Sequence, residues 1–258
     1  MIGSYLRRGL AAGLLAGLLA ELFALVVGEP LLDRAIELEG AAGGPSGVAH
    51  AHEGGGSAEG HSHGEEGEAV FGRTAQKVGL FFAAGLSGAF FGGMFGLAFA
   101  YFRGRMDSGS DWVRSVSLAA TVFAGVALIP AVKYPANPPT VGDPETIGVR
   151  TSAYFAMVGL GLLAVLAAWY ASKLLRERGV SPPARHVAVG LGTVAVVTAL
   201  LLALPSAADP GDFPAALLWN FRLTSLGTQL VLWTGLGALF GAMCERANAR
   251  ANTRKQPA

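Results

Sequence analysis

Six long apolar runs, separated by polar segments, dominate the sequence. Each run is close to the 20 or so apolar residues that a helix needs to cross the hydrocarbon core of a bilayer. The pattern therefore predicts an all-α fold, a bundle of six transmembrane helices. The runs are Gly9–Gly28, Val78–Phe102, Val113–Val132, Ser152–Leu175, His186–Leu204 and Thr224–Met243.

The composition supports a polytopic membrane protein. Of the 258 residues, 52% are hydrophobic and 14% are charged, whereas soluble domains usually carry about 25% charged residues. The net charge of +1 gives no indication of a nucleic-acid partner. The single cysteine, Cys244, excludes an intramolecular disulfide. We expect residues 1–245 to form one transmembrane domain and residues 246–258 to form a basic cytoplasmic tail.

Lys and Arg are distributed unevenly between the two sides that a six-span topology defines. Thirteen of the 19 fall on the side of the chain termini and six on the other side. The positive-inside rule places the more basic side in the cytoplasm, so both termini are expected there, with the protein in the bacterial inner membrane. Arg7 and Arg8 before the first run also suit a cleaved signal peptide. The length of the run and the lack of a small-residue cleavage site favour an uncleaved span.

Small residues recur every four positions in the first two runs. In the first run they are Gly9, Gly13 and Gly17. Residues four apart lie on one face of a helix, and small residues at this spacing let membrane helices approach closely. We therefore expect the first two helices to pack along these faces. In the second run the small residues are Ala84, Gly88, Gly92, Gly96 and Ala100.

Glu21 continues the glycine face of the first run and is expected to point into the bundle. It lies roughly 18 Å along the helix from Gly9, at about 1.5 Å per residue, within the hydrocarbon zone. An ionisable residue at that depth is costly and by default functional. Glu21 is therefore predicted to be an ion ligand or a proton acceptor on a translocation path. The alternative is a structural hydrogen bond to another helix, for example to Gln229 or Thr121.

The polar segment 31–76 carries the strongest chemical signal. Four of the five histidines lie between positions 50 and 63, in two His-x-His pairs with carboxylates nearby. Neutral imidazole is a ready ligand for Co, Ni, Zn and Cu, so this extracytoplasmic His/Glu-rich loop is predicted to capture a divalent metal. The alternative is a solvated low-complexity segment, because a His-rich tract is compositional evidence only. The predicted metal ligands are His50, His52, Glu53, His61, His63, Glu65 and Glu66.

A charged stretch with four prolines, Lys133–Thr151, separates the third and fourth runs. Proline lacks an N–H and restrains the residue before it, so no helix is expected to run through the stretch. It shares the extracytoplasmic side with the segment Asp209–Arg222, and the two are predicted to form the entrance of a translocation path. The alternative is a stiff connector between two spans. The predicted path residues are Glu21, Glu29, Lys133, Asn137, Asp143, Glu145, Arg150, Asn220, Arg222 and Gln229.

Over essentially its whole length the sequence resembles the CbtA family, proposed cobalt transporter subunits of bacteria. The motifs that carry the resemblance are Arg7-Arg8-Gly9, the span with Glu21 and the His-rich loop. The most specific are KYPANPPTVGDPETIGVRT (Lys133–Thr151) and FPAALLWNFRLTSLGTQ (Phe213–Gln229). The resemblance implies a membrane protein linked to cobalt supply, often for cobalamin synthesis. It also implies a partner like CbtB, a small single-span protein with a His-rich end.

These features together predict membrane uptake of a divalent transition metal, with Co²⁺ as the most favoured substrate. The metal is predicted to be the substrate, and no cofactor is predicted. Ni, Zn and Cu suit the same ligands. The sequence contains no Walker loop, GxSxG, HExxH or CxxC motif, so no enzyme activity is predicted. Membrane lipid, the metal ion and a CbtB-like subunit are the expected partners. Three alternatives stay open: a non-transporting metal receptor or assembly subunit, a proton- or solute-coupled transporter with an incidental His loop, and an exporter.

Overall fold

The computed structural model describes residues 2–42, 73–106, 109–138, 141–142, 144–205 and 211–253. Within these ranges every regular element is helical, which confirms the predicted all-α fold. Short 3₁₀ turns at Arg103–Arg105 and Pro144–Thr146 precede α4 and α6. The α-helices are α1 (Ile2–Phe23), α2 (Glu29–Ala42), α3 (Arg73–Phe102), α4 (Asp111–Phe123), α5 (Ile129–Lys133), α6 (Ile147–Glu177), α7 (Pro182–Ala203) and α8 (Ala215–Thr253).

Six helical stretches of the described residues are long and apolar enough to cross a membrane, as predicted. α1 and α2 contribute to one stretch and α4 and α5 to another, because helix continues between the two members of each pair. The six stretches are Ile2–Leu38, Val78–Arg105, Asp111–Lys133, Ile147–Glu177, Pro182–Ala203 and Ala215–Thr253.

The helices extend beyond the apolar runs into segments that the sequence assigned to polar regions. α6 begins at Ile147, inside the stretch Lys133–Thr151, and α8 begins at Ala215, inside Asp209–Arg222. Within the predicted loop at 31–76, helix continues to Ala42 and resumes at Arg73. Within the predicted tail at 246–258, α8 continues through Thr253. Leucine, glutamate, arginine and alanine are strong helix formers, and these residues predominate where the helices overrun. Hydropathy therefore placed the spans but not the helix ends.

Two spans contain a π-helical turn at the same place in a short repeated sequence. The pattern Phe-Ala-x-Val-x-x-x-Pro occupies residues 23–30 and again residues 123–130. The π-helical turns are Ala24–Gly28 and Ala124–Leu128, and in each the N–H before the proline donates to the carbonyl five residues earlier. Proline lacks an N–H and its ring crowds the carbonyl of the preceding turn. The wider π turn lets the helix continue past the proline.

α1 and α3 pack with their backbones in direct contact, as their small-residue faces predicted. A Cβ built on Gly9 would lie 2.1 Å from the carbonyl oxygen of Gly92. A Cβ on Gly13 would lie 2.1 Å from the carbonyl oxygen of Gly88. No side chain larger than a hydrogen atom fits at these distances. Membrane helices associate without a hydrophobic driving force, so close packing of this kind holds them together.

α8 lies between α1 and α4 and runs antiparallel to both. Gly235 packs on Ala16 of α1, and Gly237 packs on Ala119 of α4. Ser115 of α4 donates a 2.7 Å hydrogen bond to the carbonyl oxygen of Gly237. α8 is therefore the central helix of the bundle, in contact with both of the spans that contain a π turn.

An aromatic core fills the half of the bundle that contains the N-terminus. Phe99 of α3 and Phe240 of α8 are fully buried, and their ring centroids lie 5.0 Å apart in an edge-on arrangement. Phe95 meets Phe240 in the same way at 5.3 Å. Tyr5 of α1 packs against Phe99 at 5.7 Å. These rings lock α1, α3 and α8 together beyond the glycine contacts.

α6 and α7 lie at the side of this core. A Cβ on Gly161 of α6 would lie 2.6 Å from the carbonyl oxygen of Gly125, so α6 packs closely on the second π turn. α7 packs on α6, and none of its residues is buried.

The two ends of the bundle differ in chemistry. The basic end is the one at which α1 begins, and it carries Arg8, Arg103, Arg105, Arg114, Lys173, Arg176, Arg185 and Arg246. The loop end carries Lys133, Tyr134, Asn137, Arg150, Pro205 and Arg222.

Replacing Gly92 with Ala should destabilise the protein, because the added methyl group meets the backbone of α1. Overpacking of this kind costs about 1–3 kcal/mol. Gly159→Ala in α6 is the matched control, since a Cβ there meets nothing within 4 Å and Ala favours the helix over Gly. Thermal unfolding in detergent, followed by circular dichroism, should show a lower midpoint for Gly92→Ala only. Equal midpoints for the two variants would contradict the tight α1–α3 contact.

Candidate functional site

The predicted His/Glu metal ligands lie outside the described residues, so their role stays a prediction. They are His50, His52, Glu53, His61, His63, Glu65 and Glu66. The predicted path residue Asp143 also lies outside the described residues. Within the described part of the chain, no three His, Cys, Asp or Glu side chains come together to hold a metal ion.

Glu21 is half-buried on α1, two residues before Phe23 and the first π turn. It follows Gly17 by one helical turn, and the Gly17 backbone packs on Ala84 of α3. Glu21 forms no hydrogen bond or ion pair with the residues that the structure describes. The hydroxyl of Thr121 instead donates a 2.8 Å hydrogen bond to the Ser117 carbonyl oxygen. The alternative role for Glu21 is a structural hydrogen bond to Thr121 or Gln229. Neither hydrogen bond is present among the described residues.

The repeated sequence makes Glu21 and Thr121 equivalent positions. Each residue stands two places before the Phe-Ala that begins the repeat. Both π turns contact α8. π-helical turns occur frequently at functional sites, because they shift the register of a helix and leave its backbone less regular. The two spans with π turns thus both contact α8, and their equivalent positions carry a carboxylate in one span and a hydroxyl in the other.

The polar segment of α8 lies beside the first π turn. Gly227 packs on the ring of Phe23, while Gly235 packs on Ala16. Interpolating between these two contacts of antiparallel helices places Gln229 at about the depth of Glu21. The side chain of Gln229 is exposed. The carboxylate of α1 and the amide of α8 therefore lie at about the same depth of the bundle, with the Gln229 amide on its surface.

Three side chains cross-link the loop end. Lys133 and Tyr134 come from the predicted stretch Lys133–Thr151, and Arg222 comes from the predicted segment Asp209–Arg222. Arg222 of α8 donates two hydrogen bonds to Oδ1 of Asn137, from Nε at 3.3 Å and from Nη2 at 2.8 Å. Lys133 Nζ donates to the carbonyl oxygen of Leu201 at the end of α7. Tyr134 donates a 2.8 Å hydrogen bond to the carbonyl oxygen of Pro205. The structure thus brings together the stretch Lys133–Thr151, α8 and the end of α7.

The other predicted path residues are dispersed around this end. Glu29 and Arg150 are half-buried, whereas Glu145 and Asn220 are exposed. Glu29, Glu145 and Arg150 all take part in further interactions of the protein. The loop end therefore gathers Lys133, Asn137 and Arg222 into one network, while Asn220 faces outward.

Burial favours the neutral form of Tyr134 at this end. It raises the pKa of the Tyr134 hydroxyl above its ordinary value, because the phenolate loses hydration. The hydroxyl keeps its proton and donates it to the carbonyl oxygen of Pro205.

A buried carboxylate at the basic end escaped the sequence analysis. Asp111 is 4% exposed and accepts hydrogen bonds from three side chains. Arg103 donates from Nε to Oδ1 at 2.8 Å and from Nη2 to Oδ2 at 3.1 Å. Arg114 Nη1 donates to Oδ1 at 3.2 Å, and Asn248 Nδ2 donates to Oδ2 at 2.9 Å. Asp111 thereby joins the ends of α3 and α8 to the start of α4.

Local sequence explains how Asp111 comes to this position. Ser110 is the N-cap of α4, and its hydroxyl oxygen accepts hydrogen bonds from the N–H groups of Trp112 and Val113 at 3.2 and 3.5 Å. An acidic residue in the first helical turn is also stabilised by the helix dipole. The signal that could have indicated this site is a Ser-Asp pair at the start of an apolar run.

The chain is therefore an all-α, multi-pass membrane protein with a carboxylate inside a span. The profile of a protein family described as "Probable cobalt transporter subunit (CbtA)" matches residues 2–245. The protein belongs to the CbtA family, and the resemblance stated from the sequence is confirmed. No curated protein and no solved structure matches the chain.

Replacing Asp111 with Ala should destabilise the bundle, because it leaves Arg103 and Arg114 without their shared carboxylate. Breaking a buried ion pair lowers the free energy of unfolding by about 3–5 kcal/mol. Because Arg103 is partly exposed, we expect a loss of about 3 kcal/mol, at the lower end of this range. Glu177→Ala is the control, since its 3.8 Å ion pair with Lys173 is exposed and such pairs contribute at most about 1 kcal/mol. Unfolding by increasing SDS in mixed micelles measures both. A loss in Asp111→Ala no larger than the control's would contradict the structural role.

Proposed function

We propose that the protein is the membrane-spanning subunit of a transporter that imports Co²⁺ across the bacterial inner membrane. Membership of a family described as cobalt transporter subunits supports the substrate, and six candidate spans support passage through a membrane. The observation that carries the proposal is Glu21, a half-buried carboxylate inside a span. The positive-inside rule supports a cytoplasmic basic end, so the loop end receives the ion.

Glu21 meets the main physical requirement of such a path. A divalent ion loses hydration inside the membrane, and a fixed negative charge offsets part of that cost. An isolated carboxylate makes a weak site for Co²⁺, to which imidazole nitrogen is the better-suited protein ligand. Weak binding suits a transit site, because a transported ion has to leave as readily as it enters.

The loop-end network provides an entrance to this site. Arg222 and Gln229 are seven residues apart on α8, so they lie on one face, about 10 Å apart along the helix axis. Two hydrogen bonds to the neutral Asn137 hold the Arg222 guanidinium in place and leave its charge uncompensated, so an entering cation would pass on the side away from it. From this end the Glu21 level is about two helical turns farther along α8. The first π turn and Thr224 of α8 lie between, with a Cβ on Gly28 only 3.5 Å from Thr224 Cγ2.

The His/Glu segment at 31–76 supplies the capture step in this proposal. Two His-x-His pairs on the side of the entrance would raise the local concentration of a borderline metal ion. Copper binds such ligands more tightly than cobalt does. Selectivity for Co²⁺ would then depend on the geometry of the path and on metal availability.

A metal receptor or assembly subunit is the second candidate, and the word "subunit" in the family description favours it. In this function the protein binds Co²⁺ and hands it to a partner such as a small CbtB-like, single-span protein. Reconstitution of the purified chain into liposomes separates the two functions. A transporter accumulates Co²⁺ inside the liposomes, alone or with the partner, whereas a receptor only binds it.

Glu21→Gln should reduce Co²⁺ uptake at least tenfold, because the amide removes the charge that offsets ion desolvation. The matched control is Glu37→Gln, an exposed carboxylate farther along the same helical stretch. Radiolabelled Co²⁺ accumulation in expressing cells, at equal membrane abundance, measures both variants. Uptake by Glu21→Gln at the wild-type level would remove Glu21 from the path. Loss of Co²⁺ from preloaded cells would instead indicate export.

Removing the clustered histidines should lower uptake at low external Co²⁺ and leave the rate at saturating Co²⁺ unchanged, since the loop concentrates the ion and does not form the path. The fifth histidine, His186, is exposed on α7, so His186→Ala is the matched control. Uptake is measured over a range of Co²⁺ concentrations, with and without the His-tailed partner. Unchanged uptake at every concentration would make the loop incidental. The substituted residues are His50, His52, His61 and His63.

A further inference from the structure

A cavity of about 240 Å³ opens at the basic end, where four elements converge. The end of α6 contributes Lys173 and Arg176, the start of α7 contributes Arg185, and the segment after α3 contributes Arg105. The hydroxyls of Ser117 on α4 and Ser172 on α6 also line it. Lys173 forms a 3.8 Å ion pair with Glu177, and Arg176 takes part in a further interaction. Four basic side chains and two hydroxyls therefore line the cavity, which is rich in hydrogen-bond donors.

Arg185, which lines this cavity, has one donor atom without a hydrogen-bond partner among the described residues. The Nε atom of Arg185 is buried and donates no hydrogen bond to any residue that the structure describes. A buried donor of a charged group without a partner is costly, and native structures rarely keep one without a reason. Arg185 stands in the first turn of α7, where the helix dipole adds to the attraction for an anion.

The cavity lies at the boundary between apolar span and polar end. Trp169 lines it and packs edge-on against Phe102 at 6.0 Å, and tryptophan is enriched at membrane interfaces. Beyond Arg185, Val187 and Leu191 of α7 are 61% and 67% exposed. A ligand held here has a phosphate-sized anionic group at the cations and an apolar surface beside it. Those are the two parts of a phospholipid.

We propose that this cavity binds the phosphate group of an anionic phospholipid at the basic end. Basic pockets between membrane helices recognise such headgroups. Arg105 and Arg185 provide charge-assisted hydrogen bonds to phosphate oxygens, and the two serines add neutral donors. The acyl chains lie along the exposed apolar face of α7. The same donors would accept any phosphate ester, so a free phosphate is the competing source.

A second basic cavity at this end provides the control. Its volume is about 500 Å³, and Arg8, Arg246 and Arg250 line it. The double substitution Arg246→Gln with Arg250→Gln removes the same charge as Arg105→Gln with Arg185→Gln. General attraction between a basic surface and anionic lipid would weaken equally in the two double variants.

The experiment titrates phosphatidylglycerol or phosphatidylcholine into the purified full chain in uncharged detergent and records the thermal unfolding midpoint. Phosphatidylglycerol should raise the midpoint and phosphatidylcholine should not. The apparent affinity for phosphatidylglycerol should fall at least tenfold in Arg105→Gln with Arg185→Gln and stay at the wild-type value in the control variant. Equal losses in the two variants, or equal responses to the two lipids, would overturn the proposal.

Two further measurements complete the test. Inorganic phosphate alone should leave the midpoint unchanged at millimolar concentration; stabilisation by phosphate without lipid would assign the cavity to a soluble phosphate and overturn the lipid proposal. Arg185→Lys keeps the charge but lacks the Nε donor, so it serves if the double variant does not fold. Native mass spectrometry should then show fewer bound phosphatidylglycerol molecules on Arg185→Lys than on the wild type, and equal numbers would contradict the role of Arg185.

Discussion

The close approach of α1 and α3 fixes the positions on which the rest of the bundle depends. Gly13 and Gly92 place backbone against backbone, so neither helix can rotate without driving a side chain into its neighbour. Glu21 lies two helical turns beyond Gly13 on the same face. A shift of one residue would turn it by about 100°, towards lipid. The glycine contact therefore decides that a costly carboxylate faces protein.

Both π turns lie against α8, the central helix of the bundle. Each one lets a proline stand within a continuous span. Transporters built from repeated units commonly bind their substrates where the repeats meet. Here α8 contacts both repeats, which differ at several equivalent positions, among them Glu21 against Thr121. The Thr121 hydroxyl donates a hydrogen bond to the Ser117 carbonyl oxygen within its own helix, whereas Glu21 places a carboxylate at the equivalent position.

The sequence predicted those features that local periodicity determines. Apolar run length placed the six spans, and i+4 spacing of small residues identified the faces of α1 and α3. Contacts between distant residues left no comparable trace. Asp111 and Asn248 are 137 positions apart, and Lys133 reaches a carbonyl 68 positions away. The π turns were also missed, because hydropathy reports how apolar a helix is and carries no information about its pitch.

Electrostatics connects the proposed ion path to the proposed lipid site. A Co²⁺ ion that leaves Glu21 towards the basic end approaches arginines whose charge Asp111 offsets only in part. One uncompensated unit charge about 10 Å from a divalent ion costs about 3 kcal/mol at an effective dielectric constant of about 20. That is about a hundredfold in the population of the ion at this point. If both proposals hold, a lipid phosphate between Arg105 and Arg185 would compensate one such charge, and the anionic lipid content of the membrane would then affect metal release.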